Sequence, residues 1–124
     1  MSEEKYNTIM DETDDRVLCV KIHKPISKEG YENNFLPRIR DMVEKTGEIR
    51  LLVFYEDYKG WEEEASALDM QTSVAYRDKL ARFALVNPPE KEMFQKKIKS
   101  FFMSGEFRNF AAEDFGEALD WVRE

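Results

Sequence analysis

The apolar positions of this chain fall into short alternating or continuous runs separated by stripes at helical spacing. From Arg16 to His23 the alternation is strict. Val17, Cys19 and Lys21 point one way, and Leu18, Val20 and Ile22 point the other, which is the period of a strand. Upstream, Tyr6, Thr8 and Met10 share one side of a short stretch that reads as a weak edge strand, Tyr6–Met10. The polar turn Asp11-Glu12-Thr13-Asp14-Asp15 joins the two, and so short a connection predicts an antiparallel hairpin. Ile49 to Tyr55 is apolar almost throughout. A run of that kind implies cover on both faces, the mark of a central strand in a helix-flanked sheet. Leu80 to Val86 predicts a fourth strand, broken by Asn87-Pro88-Pro89, and Phe107 to Phe110 a short fifth.

Four helices are expected between and after these strands. Ser27 is placed to cap the first, with Glu29 in its first turn. Tyr31, Phe35, Ile39, Met42 and Val43 form its stripe. Pro37 lies inside that pattern and predicts a kink or a start in two pieces, and Gly47 is the expected left-handed cap. The second helix, about Trp61 to Lys79, shows Trp61, Ala65, Leu68, Thr72 and Ala75 on one face, with Glu62-Glu63-Glu64 at its positive end. Phe94, Ile98, Phe101 and Phe102 mark a third, about Pro89 to Met103, stopped by Ser104-Gly105. Phe115, Ala118, Leu119 and Val122 mark the last, about Ala112 to Arg123.

The order β-β-α-β-α-β-α-β-α predicts an α/β fold. Its five-stranded mixed sheet has an antiparallel N-terminal hairpin, otherwise parallel strands with right-handed crossovers, and four flanking helices. With 124 residues, 42% hydrophobic and 36% charged, one globular domain over 1–124 is expected. No internal repeat, linker or low-complexity tract interrupts it.

Charge and residue types narrow the chemistry. A net charge of −7 repels phosphate backbones and argues against nucleic acid as a partner. Lys91, Lys96, Lys97 and Lys99 cluster locally and read as a solvated helix face. Cys19 is the sole cysteine and His23 the sole histidine. No internal disulfide can form, Cys19 reads as a buried small hydrophobe, and no metal site or cofactor is expected. Met1-Ser2-Glu3-Glu4 is polar and no run approaches a membrane span, so a cytoplasmic protein is expected. The acidity favours solubility and leaves a homodimer open.

No catalytic group stands out. Glu56 and Asp57 are adjacent at a strand end, so their side chains diverge where an acid–base pair must converge. Ser27 and His23 lie outside any nucleophile elbow, and the five glycines are too scattered for a phosphate loop. The more informative feature is the exit of the third strand, Tyr55-Glu56-Asp57-Tyr58-Lys59-Gly60-Trp61, because open α/β sheets place ligands at the carboxyl ends of their strands. Trp61 either packs the helix start onto the core or roofs an apolar pocket with Tyr55, Leu68 and Phe94, beneath a second helix polar enough to swing as a lid. Phe101 and Phe102 are adjacent on a helix and cannot face one core point. Either both are buried between helices, or one lines a pocket or meets a partner or bilayer.

Several segments in this order resemble the STAS domain family, and more closely its SpoIIAA-like branch with a CRAL-TRIO-like element order. They are Ile26-Ser27-Lys28-Glu29-Gly30-Tyr31, Phe35 and Pro37, Gly47-Glu48-Ile49-Arg50-Leu51-Leu52-Val53, Gly60-Trp61, Asp69, Leu80 to Val86, Gly105-Glu106-Phe107-Arg108-Asn109-Phe110, and Ala118-Leu119-Asp120-Trp121-Val122. The resemblance implies a non-enzymatic domain binding an apolar ligand or lipid, with peripheral membrane contact. The alternative it implies is a protein-binding regulator that uses the first-strand edge and the helix after the third strand. The chain departs from the family's phosphorylated regulators: Glu56-Asp57-Tyr58-Lys59-Gly60 stands where they carry Asp-Ser-Ser or Asp-Ser-Thr, and Asn87-Pro88-Pro89 replaces a common Gly-Asp. A phosphoserine switch is therefore not expected.

Overall fold

The computed structural model describes residues 7–56, 60, 62–76, 78–88 and 105–124. Five strands form one sheet in sequence order: β1 (Thr8–Ile9), β2 (Leu18–Ile22), β3 (Ile49–Tyr55), β4 (Leu80–Val86) and β5 (Glu106–Phe110). β1 pairs antiparallel with β2, Thr8 opposite Lys21 and Ile9 opposite Val20, and every later pair is parallel. The turn before β2 is built by side chains. Asp14 Oδ1 accepts the N–H groups of Arg16 at 2.8 Å and Val17 at 3.0 Å. The Thr13 hydroxyl accepts the Cys19 N–H and donates to its carbonyl, standing in for a strand residue.

β3 is the middle strand, as its unbroken apolar run predicts. The alternation of β2 divides the core in two. Leu18, Val20 and Ile22 join Leu51, Val53, Tyr55, Phe83, Ile39 and Met42 on one face, whereas Val17 and Cys19 join Leu52, Ala84, Val86, Ala118 and Val122 on the other.

Helix α1 comes in three pieces: Lys28–Gly30, a π-helical stretch Tyr31–Phe35, and Leu36–Thr46. Ser27 Oγ caps its start by accepting the Gly30 N–H at 3.0 Å. The sequence predicts a disturbance at Pro37. It takes the form of a wide turn in which the Leu36 N–H reaches back to the Tyr31 carbonyl, with Pro37 opening the regular part, where a missing N–H costs least. Gly47, at φ 80°, ends the helix and donates to the Val43 carbonyl.

Helix α2 (Glu63–Ala75) is shorter than the predicted span to Lys79. It starts after Glu62, whose backbone is extended, and stops at a turn in which the Lys79 N–H bonds the Tyr76 carbonyl. Ala65 and Thr72 are buried, but Ala75 is exposed, so the predicted stripe is cut short at its last position. The third helix predicted from the sequence, about Pro89 to Met103, lies outside the described residues.

Gly105 precedes β5 at φ 84°, and a Cβ there would stand 2.5 Å from the Leu80 carbonyl oxygen. The site therefore demands glycine for both conformation and space. After a single turn at Ala112–Asp114, helix α3 (Phe115–Arg123) lies across β3 and β4. Its last carbonyls are bonded by three arginines from elsewhere: Arg82 to Trp121, Arg50 to Val122 and Arg16 to Arg123, each at 2.8 Å. Cations at a helix C-terminus answer both the orphan acceptors and the helix dipole.

Candidate functional site

A cavity of about 100 Å³ lies between the sheet and helices α1 and α2. Its sheet wall is formed by Val20, Ile22, Leu51, Val53, Tyr55 and Phe83, and its helix wall is mainly Phe35, Ile39 and Tyr76. The wall exists because β3 turns alternate residues the same way, so that Ile49, Leu51, Val53 and Tyr55 stand in one row beneath the helices. Near its rim, the loops that follow β2 and β3 are tied together. The Ile26 N–H bonds the Gly60 carbonyl at 3.0 Å, and the Glu62 N–H bonds the Ile26 carbonyl at 2.9 Å.

Polar groups enter the lining at two places. From α1 and α2, the Tyr31 hydroxyl donates to Asp69 Oδ1 at 2.6 Å. Thr72 stands beside them, and its hydroxyl donates to the Leu68 carbonyl at 3.0 Å. Tyr31 is held in the wide turn of α1 with its ring 5.1 Å from that of Phe35. Burial first, and then the negative charge of Asp69, push its phenol well above the ordinary range, so it stays protonated as a donor. At the second place, Asn7, Ser27 and Asn34 line the cavity. Asn34 Nδ2 donates to the Asn7 carbonyl at 2.8 Å, and Asn7 Oδ1 accepts the N–H groups of His23 and Lys24.

Of the residues the sequence nominated, Tyr55 is buried at the end of β3 and lines the cavity. Leu68 is half-buried on α2 and does not line it, reaching the polar cluster only through its carbonyl. Trp61, Phe94, Phe101 and Phe102 lie outside the described residues, as do Asp57 and the lysine cluster. Glu56 is exposed and pairs with Lys21 at 3.4 Å. The Ser27 hydroxyl is engaged as a helix cap, and His23 Nε2 lies 2.8 Å from the Thr8 hydroxyl, so the two do not form a nucleophile–base pair. Among the described residues no three His, Cys, Asp or Glu side chains gather as metal ligands, and no helix is long and apolar enough to cross a membrane.

The Tyr31–Asp69–Thr72 cluster was not singled out as a site by the sequence pattern. The signal was available in part. Tyr31 and Thr72 both sit on predicted core-facing stripes, and a hydroxyl on such a stripe requires a partner.

Comparison with known proteins places residues 17–123 in the SpoIIAA-like family. Among solved structures, the chain is similar to an uncharacterized protein of the DUF3478 family with a SpoIIAA-like fold from Shewanella loihica PV-4. The TM-score is 0.67 at 25% identity, over 98% of each chain. No curated protein matches the chain.

Proposed function

The chain belongs to the SpoIIAA-like family, and from that premise we propose that it is a non-enzymatic domain that takes a small apolar ligand into the cavity under α1 and α2. The observation that carries this reading is the lining. Aliphatic and aromatic side chains from three neighbouring strands face a few polar groups on two helices, the usual composition of a small-molecule site. The volume favours a compact occupant. An engineered cavity of about 150 Å³ takes benzene, and the void here, about 100 Å³, suits a body of that order better than a long acyl chain. Lipid binding, peripheral membrane contact and a CRAL-TRIO-like relationship belong to the wider form of the reading. The matched family and the structural relative carry no such description.

The test is direct. The purified full chain is titrated with benzene while its ¹H–¹⁵N spectrum is followed. Shifts concentrated at Val20, Leu51, Val53, Ile39 and Thr72 are expected. A spectrum that does not move at saturating benzene would count against the cavity as a ligand site.

A second reading, a protein-binding regulator without the phosphoserine switch, is favoured by one feature. Met70 and Val74 on α2 are large apolar side chains left 55% and 59% exposed. A partner covering them would bury that surface. Loss of a partner on changing both to serine, with ligand binding intact, would separate the two readings.

A further inference from the structure

We infer that the cavity takes a ligand whose body is one flat aromatic ring, and that it prefers such a body to a saturated one of the same size. The inference rests on the ligand-binding reading above and adds the class of ligand.

The distribution of rings in the wall carries it. Every element around the cavity contributes one: Tyr31 and Phe35 from α1, Tyr76 from the turn after α2, Tyr55 from β3 and Phe83 from β4. The aliphatic part of the wall attracts a flat or a puckered guest of one volume about equally, through dispersion. The aromatic part does not. A ring carries negative charge on its faces and positive charge at its edge, so two rings attract each other, edge to face or offset, beyond what burial alone supplies. A saturated guest has no such charge pattern to answer with.

The angles suit a flat guest. The rings of Tyr31 and Phe35 lie 5.1 Å apart and are tilted by 43°, so a guest lying along one meets the other at an angle. Phe83 is stacked at 5.6 Å and 26° on Phe107, its register partner on β5, and Phe107 does not line the cavity. Phe83 therefore brings to the wall a ring held from outside it. A wall already ordered in this way loses little freedom when the guest arrives. The volume, about 100 Å³, holds the body to a single ring, judged against the larger cavity that takes benzene.

The experiment titrates the full chain with benzene and with cyclopentane, a saturated ring of nearly the same volume, and follows the amide shifts of the lining residues. Each affinity is divided by that molecule's own partition from water into hexadecane, which removes their difference in hydrophobicity. Benzene is then expected to bind about fivefold more tightly, the ratio one aromatic pair supplies. Phe35→Leu and Phe83→Leu remove a ring and no hydroxyl, and each should lower the ratio while benzene still binds. Ile39→Leu changes the wall without touching a ring and should leave the ratio as it is. Cyclopentane binding as well as benzene on the corrected scale would overturn the inference and leave the ligand site standing. A ratio undiminished in both phenylalanine variants would overturn it too, because the rings would not be its source. Silence from both probes would remove the reading beneath it as well. If Phe83→Leu does not fold, Phe35→Leu decides, since Phe35 is only half-buried.

Discussion

The two faces of this sheet are built from the same strands and are filled differently. On the face under α3, the contact is small against small. Ala118 and Val122 of the helix meet Ala84, Val86, Cys19 and Leu52, all of them fully buried. Aromatic pairs close the margins, with Phe54 and Phe115 at 5.9 Å and Phe110 and Trp121 at 5.8 Å. Three arginines hold the end of the helix. On the other face the residues are larger, yet a void remains. There α1 begins as a wide, irregular turn, so it presents no regular ridge to the strands, and α2 meets mainly the first turns of α1. Between the two helices, the polar tips of Tyr31 and Asp69 bond one another. Close packing needs surfaces that can approach. An irregular helix bearing Tyr31, Phe35 and Ile39 stands off from the sheet, whereas one bearing Ala118 does not.

The comparison breaks most severely if the closed face can be hollowed out without loss. Leu52→Ala removes a fully buried side chain where α3 cannot settle closer, and about 2–5 kcal/mol of stability should be lost. Urea unfolding monitored by circular dichroism checks this, with a lower midpoint and an unchanged slope. A loss below about 1 kcal/mol would mean that this face collapses freely and is not the rigid one.

Adding volume sharpens the contrast. Ala84→Val puts two methyl groups into the contact with α3 and should cost about 1–3 kcal/mol by overpacking. Val53→Ile adds one methylene on the next residue but one to Leu51 in the cavity wall. There it should be neutral or stabilising, by up to about 1 kcal/mol. Thermal unfolding of the two variants beside the parent reads the sign. Equal destabilisation would show that the cavity face has no room to give.

How far these differences could be read in advance depends on where the information sits. The sidedness of β2 is local, since Val17 and Cys19 alternate with Leu18, Val20 and Ile22, and strand geometry converts that order into two faces directly. The middle position of β3 follows from its unbroken apolar run for the same reason. Pro37 announced a disturbance. Its form, a stretch from Tyr31 to Phe35, depends on a bond from Leu36 back to Tyr31 that periodicity does not encode. The site was the least legible part. Tyr55 could be reached by reasoning about strand ends, but the Tyr31–Asp69 bond joins residues 38 positions apart. It exists only because α2 is laid against α1. No pattern within either helix distinguishes a stripe tyrosine that fills a core from one whose hydroxyl enters a cavity.

Each face also buries an acidic group, and the closed one can be tested by pH. Burial, and then the charge of Glu12, push the Cys19 thiol up from its ordinary 9.0 to about 12. The folded chain then keeps this proton where the unfolded chain releases it. The stability so contributed is complete below pH 9 and is lost as pH rises toward 12. At pH 10 the loss should be on the order of 1 kcal/mol. The readout is the difference between the parent and Cys19→Ala in urea at pH 8 and pH 10, which cancels the other titrating groups. A difference independent of pH would place the thiol in contact with water and the closed face in doubt.

The smallest effect belongs to the outer surface of α2. Met70 and Val74 are exposed and take no part in seating the helix, so changing both to serine should shift stability by no more than about 0.5 kcal/mol. What holds α2 is its inner side, where Ala65 and Thr72 are buried and Asp69 bonds Tyr31. The double variant therefore separates two explanations of why the cavity face is looser. If α2 is held only from within, chemical denaturation of the variant will overlay that of the parent and benzene will bind it unchanged. A clear loss of stability would mean that Met70 and Val74 are covered in the folded chain. The looseness of this face would then lie in α1 alone.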